Sequence, residues 1–171
     1  LIDEAVRGFD SNTKMNPPLR PRSDLEGVLE GLRDGTIEVI ATDHAPHTEV
    51  DKAVEFGQAA NGISGIETAL GLVLAAVDAG QLTLLRAVEL LTTGPAAFLG
   101  PRTRRVSGGA GLAEGEPADL VVFDRSGTWS VTPAALLSKG KNTPLLGMAL
   151  PGRVLLTMAA GRVAYQAPDE D

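Results

Sequence analysis

The 171 residues predict an α/β protein in which a helical first part gives way to a small β unit. Three observations carry this. A helix pattern runs through a tight turn into a short, apolar, β-branched segment, as an α/β unit does. Helical spacing of apolar residues then continues to about residue 100. Beyond a stretch rich in arginine and glycine at 101–111, the apolar period becomes that of strands.

Residues 1–22 read as irregular, because Pro17, Pro18 and Pro21 lack amide donors and restrict their neighbours. From Ser23 a capping-box pair with Glu26, apolar residues Leu25, Val28, Leu29 and Leu32 and a stop at Gly35 predict a helix over about 24–34. Ile37 to Thr42 then reads as a strand buried on both faces. Asp43-His44-Ala45-Pro46-His47 and the polar stretch through Glu55 make a loop at that strand's C-terminal end, where ligands gather in α/β folds. Ser64 and Glu67 form a second capping box, opening a helix that carries Leu70, Val73, Leu74 and Val77 to Gly80. Thr83 opens another helix through Val88 and Leu91, and Pro95 fits the first turn of a short one closed by Gly100. Residues 101–111 read as a linker. After the turn Gly115-Glu116-Pro117, strands are predicted at 118–124 and 129–131, with a hairpin of 153–159 and 162–165 around Ala160-Gly161. Asp169-Glu170-Asp171 reads as a frayed tail.

Composition narrows the function. With 15 basic against 22 acidic side chains and a formal charge of −7, binding through a nucleic-acid phosphate backbone is disfavoured. Absence of cysteine excludes disulfides, thiolate zinc sites and a cysteine nucleophile, and is compatible with a cytoplasmic protein. No apolar run approaches the ~18 residues of a membrane span, and no export signal is visible. The chain opens on Leu1 rather than Met and reads as cut from something longer.

Both histidines share one loop with Asp43. An aspartate at a strand terminus can bind a divalent metal through one oxygen and take a proton from water through the other, which suits hydrolysis. Its bland reading is a turn carboxylate that satisfies loop amides. Two histidines and this aspartate cannot complete a four-ligand zinc site, so other ligands must come from elsewhere. Pro46 separates the imidazoles, which need not face one site; a buried hydrogen bonder is the plain reading of His44, and His47 is divided between that and function. Asn16 can donate and accept toward a cyclic amide, though a loop asparagine needs no ligand. Gly62 and Gly65 can turn their amides toward an anion or merely form a turn.

Lys14-Met15-Asn16-Pro17-Pro18-Leu19-Arg20, Ile40 to Thr48 with its Asp43-His44-Ala45-Pro46-His47 core, and Gly62-Ile63-Ser64-Gly65-Ile66-Glu67-Thr68-Ala69-Leu70 resemble, in this order, the dihydroorotase family of the bacterial class I type. Gly115 to Asp124 is similar to a β segment that closes many amidohydrolase-superfamily chains, and Ser138-Lys139 with Asn142-Thr143-Pro144 is similar to the dihydroorotase version of the stretch after it. The resemblance implies the last part of a (β/α)8 barrel over 1–100, contributing one barrel strand plus helices. A linker at 101–111, strands of a small β-sandwich domain over 112–167 and a tail at 168–171 would complete the chain.

It further implies a zinc-dependent cyclic amidohydrolase interconverting dihydroorotate and N-carbamoyl-L-aspartate in de novo pyrimidine biosynthesis. Asp43 matches the catalytic and metal-binding aspartate, Asn16 and His47 match substrate-holding positions, and Gly62 matches a loop whose backbone touches the ring; His44 has no role to carry over. The family's other metal ligands lie upstream of this segment, so the segment alone is expected to be inactive and to depend on the remainder of its chain. Alternatives are a dihydropyrimidinase or allantoinase, against which His47 speaks, or a noncatalytic dihydroorotase-like subunit assembling with aspartate transcarbamoylase; a homo-oligomer is left open.

Overall fold

A computed structural model describes residues 1–100 and 112–168. The predicted linker at 101–111 and the tail Asp169-Glu170-Asp171 lie outside the described residues. Among the described residues five helices precede three strands: α1 (Arg22–Asp34), α2 (Glu49–Lys52), α3 (Ala69–Asp78), α4 (Leu84–Leu91), α5 (Thr93–Leu99), β1 (Leu120–Ser130), β2 (Ala149–Ala159) and β3 (Arg162–Gln166). The N-terminal segment, expected to be irregular, contains two short 3-10 turns, Asp3–Gly8 and Ser11–Thr13.

α1 begins two residues earlier than its capping-box signature suggests. Pro21, in extended backbone, is the N-cap residue, and no side chain caps the helix. Ser23 therefore sits inside the first turn, with its hydroxyl facing the Asp24 carboxylate at 3.4 Å. At the other end Gly35 takes the left-handed conformation (φ 91°) that closes the helix, as its position predicts. The second signature also misleads: α3 starts at Ala69, and the Glu67 carboxylate is taken by the backbone amides of Leu137 and Ser138. Thr83 does cap α4, accepting from the Arg86 amide at 3.1 Å.

Residues 37–42, expected to be a strand buried on both faces, form no ladder with any described segment. A strand of that kind needs hydrogen-bonding neighbours on its edges. Here the Ile40 amide donates instead to the Leu90 carbonyl (3.0 Å), while Glu38 and Ala41 are exposed. The segment is held by its side chains and its helical neighbours. Ile37 and Ile40 pack against a buried cluster of Leu32, Leu82 and Leu90, joined by Leu29, Ala76 and Val77. Arg86 reinforces the junction by donating to the carbonyls of Leu32 and Ile37, each at 2.8 Å, which satisfies one of the open carbonyls at the end of α1. A Cβ on Gly94 would lie 2.1 Å from the Glu38 carbonyl oxygen, so α5 can approach this segment only through glycine.

The three strands form one antiparallel sheet in the order β1-β2-β3. The two expected strands at 118–124 and 129–131 are one continuous β1, whose register against β2 shifts between Asp124 and Thr128. The expected hairpin is present as β2 and β3. A second core, Val131, Leu136, Leu145 and Leu150 with Trp129 against it, lies under the loops that connect β1 to β2. α3 packs on β2 at closest range where glycine allows it: a Cβ on Gly71 would meet Leu150 at 2.8 Å, and one on Gly152 would meet Leu74 at 2.3 Å. Arg125 adds an ion pair to Asp78 at 3.0 Å. This docking brings the segment 138–143 against the loops beyond residue 42.

Candidate active site

Two stretches remote in sequence, 61–66 and 138–142, meet at the loop 43–47. Its first residue, Asp43, has a left-handed backbone (φ 42°), a conformation aspartate tolerates better than most residues. Asp43 is exposed, and its carboxylate has no hydrogen-bond or ion-pair partner among the described residues. The next groups along the loop are, by contrast, tied down one after another.

The His44 ring accepts at Nδ1 from the amides of Gly65 (3.2 Å) and Ile66 (3.3 Å). Two N–H donors aimed at Nδ1 leave the ring proton on Nε2, which points to the Ser138 hydroxyl at 3.4 Å. The Ala45 amide donates to the Ile63 carbonyl at 2.9 Å. The His47 amide donates to Asn142 Oδ1 at 2.8 Å, and His47 Nε2 lies 2.9 Å from the Asn61 carbonyl oxygen. A carbonyl only accepts, so Nε2 carries the proton and Nδ1 is the nitrogen left for other partners.

Asn142 closes the arrangement. It is buried, and its Nδ2 donates to the carbonyls of Ala45 (3.0 Å) and Gly62 (3.1 Å) while its own backbone carbonyl accepts from Ser64 (2.9 Å). From the other side comes Lys52, 5% exposed, whose ammonium donates to the carbonyls of Ala60 (2.8 Å) and Gly62 (3.0 Å). Burial, and then the neighbouring Lys14 charge, hold the Lys52 pKa below the usual lysine range, with Asp10 opposing them. Lys14 donates to the carbonyls of Gly57 (2.9 Å) and Ala59 (2.7 Å). α2, unforeseen in the polar stretch, is opened by a reciprocal capping box between Thr48 and Asp51. Hydrogen bonds from the Thr48 side chain and backbone, with a smaller contribution from His47, hold the Asp51 carboxyl below its usual range.

Of the residues singled out from sequence, the structure brings His47 and Gly62 into contact: a Cβ built on Gly62 would lie 3.4 Å from His47 Nε2. Asn16 is exposed and lies two residues beyond Lys14, whose carbonyl accepts from the Gly62 amide at 2.9 Å. The amides of Gly62 and Gly65 therefore do not face an anion; the protein itself uses both. Sequence reasoning did not foresee the parts of Asn142, Lys52, Lys14 and Ser138. Of these, Asn142, Ser138 and Lys14 carried a signal, since they fall in stretches that resemble the family.

Among the described residues no three His, Asp or Glu side chains cluster to hold a metal ion. His44 is engaged at Nδ1 by two amides and faces Ser138 with Nε2, while His47 is engaged at Nε2. The donors left free at the loop among the described residues are the Asp43 carboxylate and His47 Nδ1. These residues do not by themselves make a zinc site.

Residues 10–164 match the Amidohydrolase family. The chain is 51% identical over 166 residues to a Dihydroorotase of Syntrophus aciditrophicus, covering 97% of this chain and 38% of that protein. It is 48% identical over 169 residues to a Dihydroorotase of Syntrophotalea carbinolica, covering 99% and 38%. The chain thus spans under two fifths of the length of these curated relatives. Among solved structures it is similar to an L-hydantoinase (dihydropyrimidinase) from Arthrobacter aurescens, with a TM-score of 0.84 at 28% identity over 97% of this chain and 37% of the other. A D-hydantoinase (dihydropyrimidinase) from a Thermus species gives 0.78 at 26% identity over 91% and 34%. The architecture is accordingly the last part of a (β/α)8 barrel followed by strands of the small β domain, with residues 37–42 standing as an unpaired segment where the barrel strand was expected. A match over nearly the whole of the described chain, on a fold shared with these hydantoinases, makes this chain a member of the amidohydrolase family.

Proposed function

We propose that the chain is the C-terminal portion of a dihydroorotase, a cytoplasmic enzyme of pyrimidine biosynthesis that interconverts dihydroorotate and N-carbamoyl-L-aspartate. The observation that carries this reading is the Asp43 carboxylate, left without a partner among the described residues on a loop whose His44, Ala45 and His47 are fixed by hydrogen bonds. Its support from kinship is the 51% identity to a protein named Dihydroorotase, against 28% to the dihydropyrimidinase-type structure.

In ring opening, a water oxygen adds to the amide carbonyl carbon, the C–N bond breaks, and one proton moves from the water to the departing nitrogen. Asp43 is the group that takes that proton and returns it, since a free carboxylate at the end of a fixed loop can reach both positions. His47 meets the substrate carboxylate as the imidazolium, donating Nδ1–H to it while its Nε2–H donates to the Asn61 carbonyl. Asn16 supplies an amide for the ring, and Gly62 shapes the wall rather than lending its engaged amide. Zinc dependence belongs to the proposal for the complete enzyme, with the ligands Asp43 lacks here coming from the remainder of the chain.

Asp43→Asn in the complete enzyme tests this. The amide cannot accept the proton, so kcat should fall by about 10²-fold or more while KM for dihydroorotate changes little. Turnover within about threefold of the parent refutes the role. Dihydrouracil and hydantoin assayed alongside separate the reading from a dihydropyrimidinase.

A further inference from the structure

The side chain with the most cross-links to the site loops is one to which the proposed chemistry assigns nothing. Asn142 is 6% exposed and lies 95 residues beyond His47, yet it bonds to both loops of the site. Its Oδ1 accepts from the His47 amide at 2.8 Å, and its Nδ2 donates one bond to Ala45 (3.0 Å) and one to Gly62 (3.1 Å). Its backbone oxygen holds Ser64 at 2.9 Å. An asparagine side chain has one acceptor oxygen and two N–H donors, and all are used here in different directions. No other amide orientation serves the set, because exchanging O and N would aim a donor at the His47 N–H and an acceptor at two carbonyls. The backbone beside it is equally constrained: a Cβ on Gly140 would lie 2.8 Å from the His47 amide nitrogen and carbonyl oxygen.

We propose that Asn142 is a positioning residue of the active site, fixing His47 and the Gly62 loop in one register so that the His47 ring meets the substrate at a set depth. The inference rests on the dihydroorotase reading for its substrate, though not for its geometry. The Asn61 carbonyl orients the His47 ring, Asn142 holds the His47 backbone, and the same side chain ties the loop that carries Asn61. The ring and its support thus move together or not at all.

The test is a cycle in the complete enzyme between Asn142→Ala and His47→Ala, read as KM and kcat for dihydroorotate. Each single change should raise KM by about tenfold with kcat within about threefold, and the double variant should be no worse than His47→Ala alone, because Asn142 acts through His47. KM increases that multiply in the double variant overturn the proposal and leave Asn142 a general stabiliser. Amide exchange at His47 is a readout independent of substrate. Asn142→Ala should speed it by an order of magnitude or more, and unchanged protection overturns the positioning role whatever the assay shows. Should His47→Ala leave KM unaltered while exchange responds to Asn142→Ala, the substrate reading fails and the positioning inference stands. Asn142→Ser, which keeps a hydroxyl in the same space, should give intermediate values and carries the test if the alanine variant does not fold.

Discussion

Replacing Gly62 by alanine loads a single methyl group onto the most crowded junction of the site. Gly62 has φ 116°, a conformation nearly confined to glycine, and forcing alanine into it costs about 1–3 kcal/mol. The new Cβ would also lie 2.5 Å from the Ala45 Cβ, against ~3.5–4.0 Å for a comfortable carbon contact, so one loop must retreat by about an ångström. Overpacking of this kind costs about 1–3 kcal/mol. Together they predict a loss of about 2–6 kcal/mol. Gly80 supplies the control, because it too has positive φ (69°) but nothing lies within 4 Å of a Cβ placed there. Gly80→Ala should therefore cost only the backbone penalty, about 1–2 kcal/mol. With a urea slope near ~2 kcal/mol per molar, the extra ~1–4 kcal/mol separates the midpoints of the two variants by about 0.5–2 M in the complete protein. Equal midpoints would mean that the loops of Gly62 and Ala45 are not in contact in solution, and the assembled site would be wrong.

Lys52→Met retains the stem but leaves the Ala60 carbonyl without its ammonium partner, and should cost about 1–3 kcal/mol by urea titration; a neutral result would show that the carbonyl had water available. The acid end of the stability profile should carry a signature of Asp51. Its carboxyl titrates lower in the folded protein than its ordinary value, so its contribution is whole above the unfolded pKa of ~3.9 and disappears as pH falls through the folded value. Asp51→Asn should flatten that part of the profile, and an unaltered slope there would contradict the Thr48 capping box. The isolated 171 residues should not open or close the dihydroorotate ring at any zinc concentration, since the described residues offer no cluster of metal ligands; activity in a purified, monodisperse sample would overturn the ligand argument.

How much of the molecule was legible in the sequence depends on how local the deciding contacts are. Gly35, Thr83 and the β2–β3 hairpin were readable because the residues that set them are neighbours in the chain. The capping-box signatures at Ser23 and Ser64 failed for different reasons, one local and one remote. Pro21 had already started the first helix, and Glu67 had a better use on an amide 70 residues away. Residues 37–42 had a strand's composition, but a ladder is a property of pairs and none of the described segments pairs with them. At the site, the loop of Asp43 and both histidines stood out by clustering alone. Its wiring did not. Lys52 stands among Glu49, Asp51 and Glu55 and reads as part of a solvated charged face, yet it is buried because the carbonyls of Ala60 and Gly62 turn toward it. Asn142 could be flagged only by likeness to a family stretch, since nothing near it in sequence reveals the amide it accepts from.

The two clasps on the Gly62 carbonyl differ in when they can close during synthesis. Lys52 is ten residues away and can fold onto that carbonyl as soon as both have left the ribosome, at the small entropy of a short loop. Asn142 arrives 80 residues later, which at ~5–20 residues per second is a delay of about 4–16 seconds. In that interval the nascent loop is closed on the lysine side and open on the asparagine side, so His47 has its neighbours before it has its anchor. Any chain released before residue 142 would stay in that half-fastened condition.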